Sequence, residues 1–186
     1  MWDKEGDWTL DTARNFLRCD FVKIIRRTKY LYVEHEPSDH IGRGYFEPVL
    51  LCFCWCDFLG ALYCGDGRFK SGIGSTCRSK RFIINVLGAI NPKYKAIAND
   101  LVEIYRHGTV HAYAPAGLFC IVRADTDAHL TNQNGLITIS LSRLLDDLLT
   151  GTYHFASTLH DQRLPAHGSL TALNKGRKQL RCRNKR

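Results

Sequence analysis

Proline is scarce, five in 186 residues, and with 45% hydrophobic and 24% charged residues this scarcity excludes a disordered or low-complexity chain. No Gly-x-Ser-x-Gly elbow occurs, so a Ser/His/Asp hydrolase is not supported. The glycine-rich stretch Gly65-Asp-Gly-Arg-Phe-Lys-Ser-Gly-Ile-Gly-Ser75 lacks the Gly-Lys-Ser/Thr ending of a phosphate-binding loop and reads as a plain loop. Cysteines and histidines nowhere fall into two closely spaced pairs, so neither a zinc site nor any other metal or cofactor is expected. The N-terminal residues Met-Trp-Asp-Lys-Glu-Gly-Asp-Trp have no apolar core of a signal peptide, and no apolar run reads as long enough to span a bilayer. A reducing cytoplasm, with no membrane contact, is the expected setting. No internal repeat is present.

What the chain does have is size for one domain with a real core, over about residues 1–164, and a basic tail over 165–186. Its net charge is +8 and its isoelectric point is about 9.2. Much of the excess lies in Lys175, Arg177, Lys178, Arg181, Arg183, Lys185 and Arg186, with no acidic residue among them. Such a run favours a polyanion through phosphate neutralisation and counterion release. A solvated, frayed terminus is the alternative. Eight cysteines would permit a disulfide framework, but Cys52, Cys54 and Cys56 fall inside the apolar run Val49 to Gly60 and read as buried thiols.

Periodicity predicts a mainly α fold, a bundle of about five helices. Phe16, Leu17, Val22, Ile24, Ile25, Leu31, Tyr32 and Val33 recur at helical spacing between Asp11 and Glu36, with Pro37 beyond. Arg26, Arg27 and Lys29 make the opposite side basic, either a solvated face or a second phosphate patch. Tyr45 to Cys64 is apolar almost all round and reads as the central core helix, with Gly60 and Ala61 small enough for a close neighbour. A third helix runs from a Ser75-Thr76 cap to about Ile90, where Asn91-Pro92 stops it. The fourth carries Tyr94, Ile97, Ala98, Leu101, Val102 and Tyr105. Leu118 to Arg123 and Leu136 to Ile139, separated by the Asn-Gln-Asn-Gly135 turn signal, predict a β-hairpin over about 117–139, inserted before a last helix from Ser140 to about Leu159.

At the end of the fourth helix stands Arg106-His-Gly-Thr-Val-His111. Arginine is permanently charged and forks onto phosphate, and histidine exchanges a proton near neutral pH, so the pair has the parts for cutting a phosphodiester without a metal. Five residues of α-helix turn through about 140° and rise about 7.5 Å, so Arg106 and His111 do not share a stripe, whereas His107 and His111 are i, i+4 neighbours. Gly108 loosens the helix there. Arginine and histidine converge on one phosphate if the helix end bends, or if two copies meet across a dimer axis.

Arg, then Asn, His or Asp, then three residues and His, at a helix end in an all-α bundle, resembles the catalytic motif of HEPN (higher eukaryotes and prokaryotes nucleotide-binding) domains. Arg106, His107 and His111 match its informative positions, although His107 stands where Asn is more frequent. The phrase from Leu101 to Pro115 is similar to a bacterial branch of that superfamily, over perhaps a third of the chain. The resemblance implies an HEPN-like bundle and a metal-independent endoribonuclease, a homodimer with a composite active site. It also implies RNA as substrate and an antitoxin or defence complex as candidate partner.

In such a site the 2′-hydroxyl of RNA attacks its own phosphate, leaving a 2′,3′-cyclic phosphate and a 5′-hydroxyl. His111 is the expected general acid or base, Arg106 the phosphate clamp and His107 a helper. Tyr113, Arg26, Arg27, Lys29, Lys175, Arg177 and Lys178 form the expected RNA-contacting set. The competing readings are an inactive HEPN-like binding or protein-interaction module and a polar helix end with a satisfied histidine. Weaker candidates are His154, His160 and His167, the pair Asp146-Asp147 read as a solvated face, and His35 and His40 beside Glu36 and Asp39 read as a surface loop. Tyr30, Tyr32 and Trp55 are read as core rather than as stacking platforms.

Overall fold

A computed structural model describes residues 10–35, 46–64, 74–103 and 119–159. Among them it has five helices and one three-stranded sheet, so the mainly α expectation holds. Helix α1 begins as Leu10–Asn15 and continues through Phe16–Phe21 and Val22–Lys29 to Tyr30–Glu34, with π-type turns in the second and fourth segments. Its buried residues Ala13, Leu17, Phe21, Val22, Ile25 and Thr28 recur mostly every three or four positions, which is why the chain holds one helix over this length. Helix α2 is Phe46–Cys64. Helix α3 is Ser75–Phe82, prolonged through Ile83–Leu87 and Gly88–Ile90. Helix α4 is Lys93–Asp100 and residues 101–103 continue it. Helix α5 is Leu141–Thr158.

Helix α2 is the centre, as its composition predicts. Val49, Cys52, Phe53, Cys56, Leu59, Ala61 and Leu62 are all buried in it. A Cβ built on Gly60 would fall inside van der Waals contact of the Arg78 carbonyl, so only glycine permits this approach of α3 to α2. Phe21 meets Trp55 edge-on at 5.9 Å, and Phe16 meets Phe58 at 6.4 Å, so α1 runs antiparallel against α2. Trp55 is partly buried and packs against the core. Cys52 and Cys56 are buried, but Cys54 is exposed. Two residues along a helix turn through about 200°, so alternate cysteines cannot share the buried side. Glu47–Cys64 is also long and apolar enough to cross a membrane, contrary to the expectation that no run is. Of that stretch 56% is buried inside the fold, which accounts for its apolar character.

The predicted hairpin is corrected. Strands β1 (Phe119–Val122), β2 (Thr131–Gln133) and β3 (Leu136–Ser140) lie in the order β1-β3-β2. β1 pairs with β3 in parallel, Phe119 opposite Ile137 and Val122 opposite Ser140. The hairpin is β2 with β3, closed by Asn134 and Gly135 with φ of 53° and 83°. Both values are positive, as a two-residue turn matched to strand twist requires. The Asn-Gly signal therefore marks a real turn, but its first strand is the polar Thr131-Asn-Gln133, invisible to a search for apolar runs. Ile137 and Ile139 face the core, and β3 passes directly into α5.

Candidate functional site

Helix α4 is anchored through one apolar stripe, because Tyr94, Ile97, Ala98, Leu101 and Val102 are all buried. Glu103 is exposed, and it is the last described residue before Arg106. Arg106, His107, His111 and Tyr113 lie outside the described residues, as do Lys175, Arg177 and Lys178 and the weaker candidates Glu36, Asp39, His40, His160 and His167.

The basic group on α1 is described, and it divides. The Lys29 ammonium lies 2.6 and 2.8 Å from the two carboxylate oxygens of Asp146 on α5. Arg26 donates to the Tyr153 hydroxyl at 3.2 Å, also on α5. Arg27 is exposed, and its side chain has no hydrogen-bond or ion-pair partner among the described residues. Of the three expected phosphate contacts, Arg26 and Lys29 thus serve the packing of α1 on α5. Tyr30 is 49% exposed and stacks on exposed His35, centroids 5.0 Å apart and planes at 11°, so it is a surface residue and not core.

The reading of Asp146-Asp147 as a solvated face holds for Asp146, whose side chain is 49% exposed, and is corrected for Asp147. Asp146 holds Lys29, and Asp147 belongs to a buried polar cluster that composition and motif searching missed. The Tyr94 hydroxyl donates to Asp147 Oδ2 at 2.9 Å and lies 3.2 Å from His129 Nε2. His129 Nε2 is 3.5 Å from the same carboxylate oxygen, and His129 Nδ1 accepts from the Ser140 backbone N–H at 3.0 Å. Tyr94 and His129 are 0% and 1% exposed. Burial, and then the Asp147 charge, hold the Tyr94 hydroxyl well above the usual tyrosine range, so it stays a donor.

The turn before β2 makes this cluster. Leu130 adopts a φ of 59°, in the left-handed region, so His129 and Leu130 both point inward where an extended chain would turn one of them out. Beside the cluster, Cys52, Cys56, Ile83, Leu87, Tyr94 and Leu130 line a small apolar void. Burial raises both thiols well above the ordinary cysteine range, which makes them inert packing groups and not nucleophiles.

No family model, curated protein or solved structure matches the chain. Among the described residues, no group of three or more His, Cys, Asp or Glu side chains is placed to hold a metal ion. Three further ion pairs carry fold and not chemistry. Arg78, buried on α3, pairs with Asp57 on α2 at 3.1 and 3.3 Å. Arg143 on α5 is held by Asp125 and Asp127 of the loop after β1. Arg123 closes α1 onto the sheet by donating from Nε and Nη2 to the Val33 carbonyl, at 2.8 and 2.6 Å.

Proposed function

We propose that the chain is a metal-independent endoribonuclease of HEPN type, in which His111 moves the proton and Arg106 steadies the phosphate. The observation that carries this reading is the sequence Arg106-His-Gly-Thr-Val-His111, placed just past a helix whose buried stripe runs from Tyr94 to Val102. A mainly α bundle with net charge +8 supports it, because a polyanion is attracted and a helix end can present both side chains.

The chemistry follows from the residue types. Attack of the 2′-hydroxyl requires its proton to be removed and the 5′-oxygen to receive one, and a histidine near neutral pH serves either role. The crowded phosphorane gains negative charge, which the Arg106 guanidinium meets with two parallel donors. His107, four residues from His111, orients it or shares the proton. A homodimer brings two such motifs to one groove, a toxin or anti-phage effector is the biological setting, and an antitoxin or defence complex is the partner that restrains it.

The test is incubation of the purified chain with single-stranded RNA in excess EDTA. Cleavage is the expected result. Cleavage that depends wholly on added Mg²⁺ contradicts the proposal.

A further inference from the structure

Tyr94, His129, Asp147 and Ser140 come from α4, the turn before β2, α5 and the end of β3, and together they fix where the protons sit. A backbone N–H only donates, so His129 Nδ1, 3.0 Å from the Ser140 nitrogen, presents its lone pair. The ring proton is then on Nε2 and the ring is neutral. The Tyr94 hydrogen is committed to Asp147, which leaves the Tyr94 oxygen to accept from Nε2–H at 3.2 Å. A chain of donors runs in one direction, from Ser140 through His129 and Tyr94 to Asp147.

The surroundings of the ring are well defined among the described residues. Asp147 is the charged group that faces it. Lys93 of α4 points to the backbone instead, with Nζ 3.3 Å from the His129 carbonyl. On α2, the thiols of Cys52 and Cys56 lie toward Tyr94 and are kept protonated by burial. Asp125 and Asp127, on the same loop as His129, are turned to Arg143.

The geometry points to a proton-operated latch at His129. In the neutral state the ring bridges the Ser140 N–H to Tyr94 and Asp147. A second ring proton, taken from solvent, replaces the Nδ1 lone pair by an N–H aimed at the Ser140 N–H. The same proton strengthens the attraction of Nε2–H for Asp147 Oδ2. The ring therefore stays with Asp147 and lets Ser140 go.

Ser140 is a consequential residue to release. It is the N-cap of α5, its Oγ accepts from the Arg143 N–H at 3.2 Å and donates to the Ala124 carbonyl at 2.8 Å, and it ends the strand that pairs with both neighbours. Loss of its own N–H bond loosens the junction between sheet and bundle. The latch does not depend on the ribonuclease reading.

Nitrogen NMR on the full chain tests it, with His129→Asn as the reference, since an asparagine oxygen replaces the Nδ1 acceptor but takes no proton. At pH 7.5 the His129 Nδ1 is expected without hydrogen and Nε2 with one. As the pH is lowered to 5 and Nδ1 gains its proton, the protection factor of the Ser140 amide is expected to fall by about tenfold or more, and to stay constant in His129→Asn. A hydrogen on Nδ1 at pH 7.5 overturns the latch, as does a ring that takes no second proton by pH 5. Ser140 protection that is unmoved while the ring titrates, or that falls equally in His129→Asn, also overturns it. If His129→Asn does not fold, the wild-type ring nitrogens and Ser140 protection decide alone.

Discussion

Lys29 and Asp146 tie α1 to α5, the ammonium sitting between both carboxylate oxygens at 2.6 and 2.8 Å. The lysine side chain is 25% exposed and the aspartate 49%, so water screens much of the attraction. Lys29→Ala is expected to cost no more than about 1 kcal/mol of stability. Arg27→Ala, with no partner among the described residues to lose, is expected to leave the thermal midpoint unchanged and to weaken RNA binding. Equal loss of midpoint in the two variants would refute this division of roles.

The Arg78–Asp57 pair is different in kind. The Arg78 side chain is 6% exposed, and its main chain lies against Gly60 of α2. Asp57→Ala removes a carboxylate that pairs with a buried guanidinium and is expected to cost about 1–3 kcal/mol in denaturant unfolding. Replacing both residues by apolar ones of similar volume is expected to recover most of that loss.

Gly60→Ala is expected to destabilise by about 1–3 kcal/mol, since the added methyl meets the Arg78 main chain, which cannot swing aside as a side chain would. Gly74→Ala, where a Cβ meets nothing within 4 Å, is the control and is expected to be near neutral.

Local pattern explains what was legible in the sequence. The stripes of α1 and α4 and the all-round apolar run of α2 each encode burial within one helix, and Gly60 announces a close approach by its small size. Pairing between distant segments is not encoded that way. β1 pairs directly with β3 although the polar β2 lies between them in sequence, and nothing in Thr131-Asn-Gln133 marks it as a strand. Asp147 and Asp146 are neighbours in sequence and read as one solvated pair, yet about 100° of helix rotation sends one to Lys29 and the other to Tyr94. The His129 cluster joins residues 18 and 35 positions away, so no motif could have signalled it. The Arg106–His111 motif could be read as candidate chemistry because its residues are close in sequence.

Deleting the segment from Lys175 to Arg186 tests the polyanion reading of the tail. RNA binding is expected to weaken alike for all sequences, and the dependence of affinity on salt to flatten, because each lost phosphate contact removes released counterions. The thermal midpoint is expected to stay. An unchanged salt slope would assign the tail no role in binding.

The most direct test compares wild type and His111→Ala on single-stranded RNA in excess EDTA, with the product ends identified. The account predicts a 2′,3′-cyclic phosphate and a 5′-hydroxyl from the wild type, no cutting of the equivalent DNA, and cleavage lower by about 100-fold or more in His111→Ala with RNA affinity and thermal midpoint retained. An intact substrate with the folded wild type, or equal cleavage by both proteins, would contradict it.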